Sequence, residues 1–97
     1  MKKRLLTIAL SALSVSAYAA DIDSGKAKSV TCAGCHGATG ISAVPMYPNL
    51  AGQKAQYVEK QLKAFRDGSR KDPIMGPITK PLSDSDIVNL AVYFESL

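Results

Sequence analysis

The chain has 97 residues, 46% hydrophobic and 21% charged, with 12 Lys and Arg against 8 Asp and Glu and a formal net charge of +4. That length admits one small domain, and two cysteines allow at most one internal bridge, which excludes a disulfide-rich scaffold. The positive charge is no argument for a nucleic-acid partner, because three of the cations, Lys2, Lys3 and Arg4, sit in an N-terminal leader.

That leader comes first in chain order. Three basic residues precede an apolar run over residues 5–15, followed by the small-residue sequence Ala17-Tyr18-Ala19-Ala20. This layout predicts a secretory signal peptide over residues 1–19, cleaved after Ala19 with Ala20 as the neighbouring alternative. An uncleaved anchor is the competing reading, but the apolar run falls short of the roughly 20 residues a spanning helix needs, and Ser11, Ser14 and Ser16 interrupt it. The expected mature chain, residues 20–97, carries nine Lys and Arg against eight Asp and Glu, a net of +1. It is a single domain without stable membrane insertion, expected in the bacterial periplasm. At that size an apolar core of side chains alone is marginal, so a staple of another kind is expected.

Three helices and no strand are predicted. The first begins near Ser24, capped by Asp23 or Ser24, and runs into the cysteine motif with Ala27, Val30 and Gly34 on one face. The second covers about 54–66, with Val58, Leu62 and Phe65 at helical spacing and Gly68 past its end. The third lies within "LSDSDIVNLAVYFESL": Ser83 caps it, Asp84 and Asp86 occupy the first turn, and Ile87, Leu90, Ala91 and Phe94 form one apolar stripe. Between them lie "GATGISAVPMYPNLAG" and "DGSRKDPIMGPITKP", whose Gly and Pro content predicts two long loops. Loops of that length in a small domain are usually functional. Six cations fall between positions 54 and 71 against Glu59 and Asp67, an asymmetry that could orient the molecule toward an acidic partner or could be a solvated helix face.

The chemistry is concentrated in "TCAGCHGATG", which holds both cysteines and the only histidine. A structural zinc site needs four ligands, and Cys32, Cys35 and His36 supply three. A catalytic zinc site would require adjacent Cys35 and His36 to bind one ion. An iron-sulfur cluster ordinarily takes four cysteines, and a thioredoxin-like pair would follow a strand in a βαβ pattern. A Cys-His nucleophilic pair is disfavoured because neighbours on a helix do not face each other. C-x-x-C-H remains as the attachment signature of a c-type haem: Cys32 and Cys35 form thioethers with the two vinyl groups, and His36 is the proximal iron ligand. One buried haem also supplies the missing core, and the apoprotein is expected to be largely unfolded.

With no second His, the candidates for the sixth iron ligand are Met46 and Met75. Met46 follows His36 by only ten residues, whereas Met75 lies in the second long loop, flanked by Pro73, Gly76 and Pro77, and is the preferred ligand.

Four stretches together, "CAGCHG" (32–37), "YPNLAGQ" (47–53), "YVEKQLKAFRDGSR" (57–70) and "LSDSDIVNLAVYFESL" (82–97), resemble a class I c-type cytochrome of the single-haem c553 type, similar to one half of the dihaem cytochrome c4 family. The resemblance implies an all-α fold with three main helices and two long loops around one covalent haem c. It places the Met ligand seven residues before the Leu that opens the last helix, which is Met75 ahead of Leu82. It further implies a hydrogen bond from the proximal imidazole to a proline carbonyl, matched by Pro45 with Pro48 as the alternative. It also implies a close crossing of the first and last helices through Gly25, opposite Leu90, Ala91 or Phe94. Ser29 stands where many relatives carry an aromatic, so a less filled crossing is expected there, and Pro77 and Pro81 depart from the usual distal loop.

The expected function is outer-sphere one-electron transfer in the periplasm, with metal ligands His36 and Met75, no catalytic residues and no enzymatic activity. Its partners would be membrane or periplasmic redox proteins acting as donor and acceptor, with no nucleic acid. The alternatives are a haem-bearing subunit of a larger dehydrogenase or oxidase complex, or a five-coordinate haem enzyme or gas binder if Met75 does not ligate.

Overall fold

The computed structural model describes Arg4 and residues 19–97. The leader expected over residues 1–19 therefore lies, Arg4 and Ala19 apart, outside the described residues. Five helices occur among them: α1 (Ile22–Lys28), α2 (Val30–His36), α3 (Ala55–Asp67), α4 (Met75–Thr79) and α5 (Asp84–Glu95). The fold is all-α, as expected, but with two more helices than the three read from the sequence.

The first difference is a break. The predicted first helix is two helices, separated at Ser29, whose hydroxyl donates to Lys26 O at 2.7 Å and so competes with the helical ladder. It also starts earlier than expected. The cap is Asp21, whose carboxylate accepts from the Asp23 N–H at 2.9 Å and the Ser24 hydroxyl at 2.8 Å. The buried face is not Ala27, Val30 and Gly34, which are exposed, with Val30 73% accessible. Gly25, Ser29 and His36 turn inward instead, with Cys32 half-buried between them. This face serves close approach and cofactor attachment, so hydrophobicity could not reveal it.

Gly25 is where α1 crosses α5, as the resemblance implied, but its partners are Asn89 and Tyr93. Leu90, Ala91 and Phe94 belong to the apolar core, as does Tyr93. Ser29 is itself buried at the edge of this crossing. The Asp21 N–H donates to Asn89 Oδ1 at 2.9 Å, and Lys28 Nζ lies 3.4 Å from Asp86, so polar contacts fasten both ends of α1 to α5.

α3 and α5 build the apolar core. Val58 and Leu62 from α3 pack with Ile87, Leu90, Ala91 and Phe94 from α5, joined by Leu82 and Tyr93. α3 has no capping side chain of its own; Glu95, at the far end of α5, accepts its Ala55 N–H and places an anion at its N-terminus. Gly68 closes the other end at φ 84°, a left-handed conformation open to glycine at little cost. Arg66 ties this end to the start of α5, with Nη2 2.8 Å from Asp84 Oδ1 and Nη1 donating to Leu82 O. α5 starts with a capping box in which Ser83 and Asp86 exchange hydrogen bonds at 3.0 Å.

The second difference lies in the stretch expected to be a loop. Met75–Thr79 forms a short helix because the Asp72 carboxylate accepts the N–H groups of Ile74 and Met75, and because Pro77 falls in the first turn, where its missing N–H leaves no bond unmade.

Candidate haem site

The chemistry-bearing residues meet at one cavity of about 490 Å³. α2 contributes Cys32, Cys35 and His36; α4 contributes Met75 and Ile78; α3 and α5 line it with Val58, Leu62, Phe65, Leu90 and Phe94. Gln53, Tyr57, Gln61 and Arg70 add the polar groups.

Both cysteines are free thiols and half-buried. Burial pushes the Cys32 thiol pKa up, opposed by the Thr31 hydroxyl. Among the described residues no three His, Cys, Asp or Glu side chains converge to cage a metal ion.

His36 is buried, 7% accessible, and its Nδ1 lies 2.8 Å from Pro48 O. The partner is thus Pro48, not Pro45. A carbonyl only accepts, so Nδ1 carries the proton and Nε2 keeps its lone pair for a metal. The segment that carries Pro48 is folded back by its own polar contacts. Leu50 and Ala51 donate their N–H groups to Gly40 O, Ser42 N donates to Asn49 Oδ1 at 2.8 Å, and the Ser42 hydroxyl donates to Tyr47 O at 2.6 Å. Gly37 permits the turn that starts this segment: its φ is 88°, and a Cβ there would run into the Ile41 carbonyl.

The two methionines separate clearly. Met46 reaches the cavity rim but is 76% accessible, whereas Met75 is half-buried and packed against the core. Arg70 is fixed at the cavity by donating to Gln61 Oε1 at 2.7 Å and by stacking 4.4 Å from the Phe65 ring centroid. The sequence reading passed over Asp72 and Thr79, which bracket Met75. Their signals were an Asp-Pro turn opener and a Thr four residues past the Met, placed to bond back to its carbonyl.

Two unpaired cysteines three residues apart, an imidazole with Nε2 available, a half-buried thioether and an apolar enclosure fit haem c: sulfur and nitrogen donors for iron, thiols for the vinyl groups, hydrocarbon for the porphyrin faces. The donor set and the helical frame define a single-domain class I c-type cytochrome. The chain belongs to the cytochrome c family, whose model matches residues 22–97. It is 46% identical over 81 residues to cytochrome c-554(548) of Halomonas halodenitrificans, covering 80% of this chain and 98% of that protein. It is 43% identical over 93 residues to cytochrome c4 of Pseudomonas aeruginosa, covering 95% of this chain but 45% of the relative. Among solved structures, reduced recombinant cytochrome c4 from Pseudomonas stutzeri superposes with a TM-score of 0.76 at 39% identity, over 80% of this chain and 46% of that one. The chain thus spans nearly all of the first relative and about half the length of the cytochromes c4 it matches.

Proposed function

We propose that this protein is a periplasmic electron carrier of the c553 type. In this reading, residues 20–97 form the working domain after removal of a leader over residues 1–19. Cys32 and Cys35 hold one haem c covalently, and His36 and Met75 are its axial ligands. The observation that carries the reading is the meeting of all four residues at one apolar cavity.

Haem c supplies a one-electron Fe(III)/Fe(II) couple when bound. The protein's own groups then determine how that couple is used. Pro48 O, through its bond from Nδ1–H, fixes the orientation of the His36 ring. With haem c bound, the Met75 sulfur would fill the position that oxygen, peroxide or another substrate would need, which would make the site a carrier rather than a catalyst; a thioether there would also favour the reduced state relative to a second imidazole. Leu62, Leu90 and Phe94, all buried, keep water from the cavity, and low polarity penalises the extra positive charge of the oxidised state.

Donor and acceptor would be membrane or periplasmic redox proteins that dock briefly near Cys32 and Cys35 through a small interface. No helix among the described residues is long and apolar enough to cross a membrane. The test is the visible spectrum of the holoprotein in both oxidation states. We expect a c-type ferrous spectrum and, in the ferric state, the weak far-red band of sulfur-ligated iron, abolished in Met75→Ala and retained in Met46→Ala. A high-spin ferric spectrum in the unaltered protein would move the function toward ligand binding or catalysis.

A further inference from the structure

The peptide that carries Met75 is gripped from both sides by side chains that lie outside the ligand set. Asp72 Oδ1 accepts the Met75 N–H at 2.8 Å and the Ile74 N–H at 2.9 Å. On the other side, the Thr79 hydroxyl donates to Met75 O at 2.8 Å and also lies 3.1 Å from Gly76 O. Thr79 is fully buried, one of the three largest side chains with less than 2% exposure among the described residues, although most of its neighbours in sequence are exposed. A hydroxyl taken out of water is costly unless it is bonded, and these carbonyls are the acceptors that satisfy it.

The surrounding backbone cannot supply this order itself. α4 has five residues, too few for a helix to persist on its own propensity, and it contains Gly76 and Pro77. We infer that Asp72 and Thr79 are positioning residues for the sixth iron ligand: by clamping the N–H and the C=O of Met75 they hold its thioether preorganised, and so set how strongly it resists displacement. This rests on the reading of Met75 as axial ligand. A thioether is a weak neutral donor, so its hold on iron depends on how little freedom is lost when it binds. Loosening either side of the clamp leaves the fold's main core, α3 against α5, untouched but gives the Met75 segment alternative conformations in which the sulfur is withdrawn.

The test is competition by imidazole for the ferric holoprotein, read from the far-red band. The variants are Asp72→Ala and Thr79→Val, with Asp72→Asn and Thr79→Ser as conservative partners that keep an acceptor or a hydroxyl in place. Thr79→Val removes the hydroxyl bond to Met75 O, while Gly76 O keeps the Lys80 N–H, and imidazole should then displace the sulfur at about five- to tenfold lower concentration. Asp72→Ala should shift in the same direction, and the Asn and Ser variants should remain within about twofold of the unaltered protein. Unchanged imidazole affinity in both Asp72→Ala and Thr79→Val would overturn the clamp, as would equal shifts in the conservative variants. Should Thr79→Val not fold, the exposed Asp72 pair decides alone. Failure of the underlying reading looks different: the far-red band would survive in Met75→Ala.

Discussion

Replacing Gly25 by alanine tests the most demanding contact of the fold. A Cβ at this position would fall 2.6 Å from the Asn89 carbonyl carbon and 2.8 Å from Tyr93 Cβ, and nearer still to the Asn89 carbonyl oxygen. Carbon atoms pack comfortably at about 3.5–4 Å, so α1 would have to withdraw from α5 by roughly 1 Å. Two of the three obstructing atoms are backbone, which no rotamer change can move. Overpacking of this kind costs about 1–3 kcal/mol, and withdrawal also stretches the Asp21 N–H bond to Asn89 Oδ1, worth about 1 kcal/mol. Alanine's better helix propensity returns about 1 kcal/mol. The net expectation is a loss of about 2 kcal/mol, or a fall of about 8–16 °C in Tm for a domain of this size. The assay is thermal unfolding of the ferric holoprotein followed by far-ultraviolet circular dichroism. Gly34→Ala is the control: it is exposed, within a helix, and has nothing in contact range of a new Cβ, so its Tm should stay level or rise. A Gly25→Ala protein that melts within about 2 °C of the unaltered one would refute the close-crossing argument.

Three further outcomes are expected. Asp84 is held below the usual carboxylate range by the hydrogen bond from Arg66, Asp86 by the Ser83 N–H, and Asp21 by the Ser24 hydroxyl. Groups whose pKa is lowered in the folded state stabilise it fully above the unfolded value of about 3.9 and lose that contribution as pH falls through the folded values. Tm should therefore be flat from about pH 7 to 5 and decline below about 4, less steeply in Asp84→Asn; an unchanged slope in that variant would refute the assignment. In the core, Leu90→Ala should cost about 2–5 kcal/mol and Ile87→Val about 0.5–1.5 kcal/mol by denaturant titration, both residues being 0% accessible; the reverse order would contradict the packing. Protein with Cys32→Ala and Cys35→Ala, unable to attach haem, should lose most of its helical dichroism, because the apolar walls of a 490 Å³ cavity would face water or nothing.

What could be read in advance followed from chemistry that announces itself locally. The attachment pentapeptide, the Ser83 cap and the stripe Ile87, Leu90, Ala91, Phe94 each carry a signal within a few residues, and the structure holds the last two as expected. Part of what escaped was local, the break at Ser29 and the Asp72 and Thr79 bonds around Met75, and part depends on partners distant in the chain. Glu95 caps α3 across 40 positions, and nothing near Ala55 indicates it. Gly25 was identified through the resemblance, but its partners were misassigned because Asn89 and Tyr93, not the apolar stripe, face α1. The exposed side of α1 and α2 was mistaken for the buried side for a related reason: where a backbone must come close or a cofactor must attach, small and polar residues turn inward, and an apolar pattern gives the wrong face.

The same contrast separates the parts of the molecule by what holds them. α1, α3 and α5 are fixed to one another by Gly25 against Asn89, by Arg66 with Asp84, by Glu95 at Ala55 and by a continuous apolar cluster. The segments that present His36 and Met75 are instead set by short-range polar bonds: Pro48 O to the imidazole, Ser42 and Asn49 beneath that turn, Asp72 and Thr79 around the methionine. An electron carrier benefits from this division. Reorganisation between oxidation states stays small if the ligands cannot shift, and directional hydrogen bonds restrict position more tightly than apolar contacts, which are non-directional. The core thus supplies most of the stability, while a few polar groups, from buried Thr79 to exposed Asp72, fix where His36 and Met75 point.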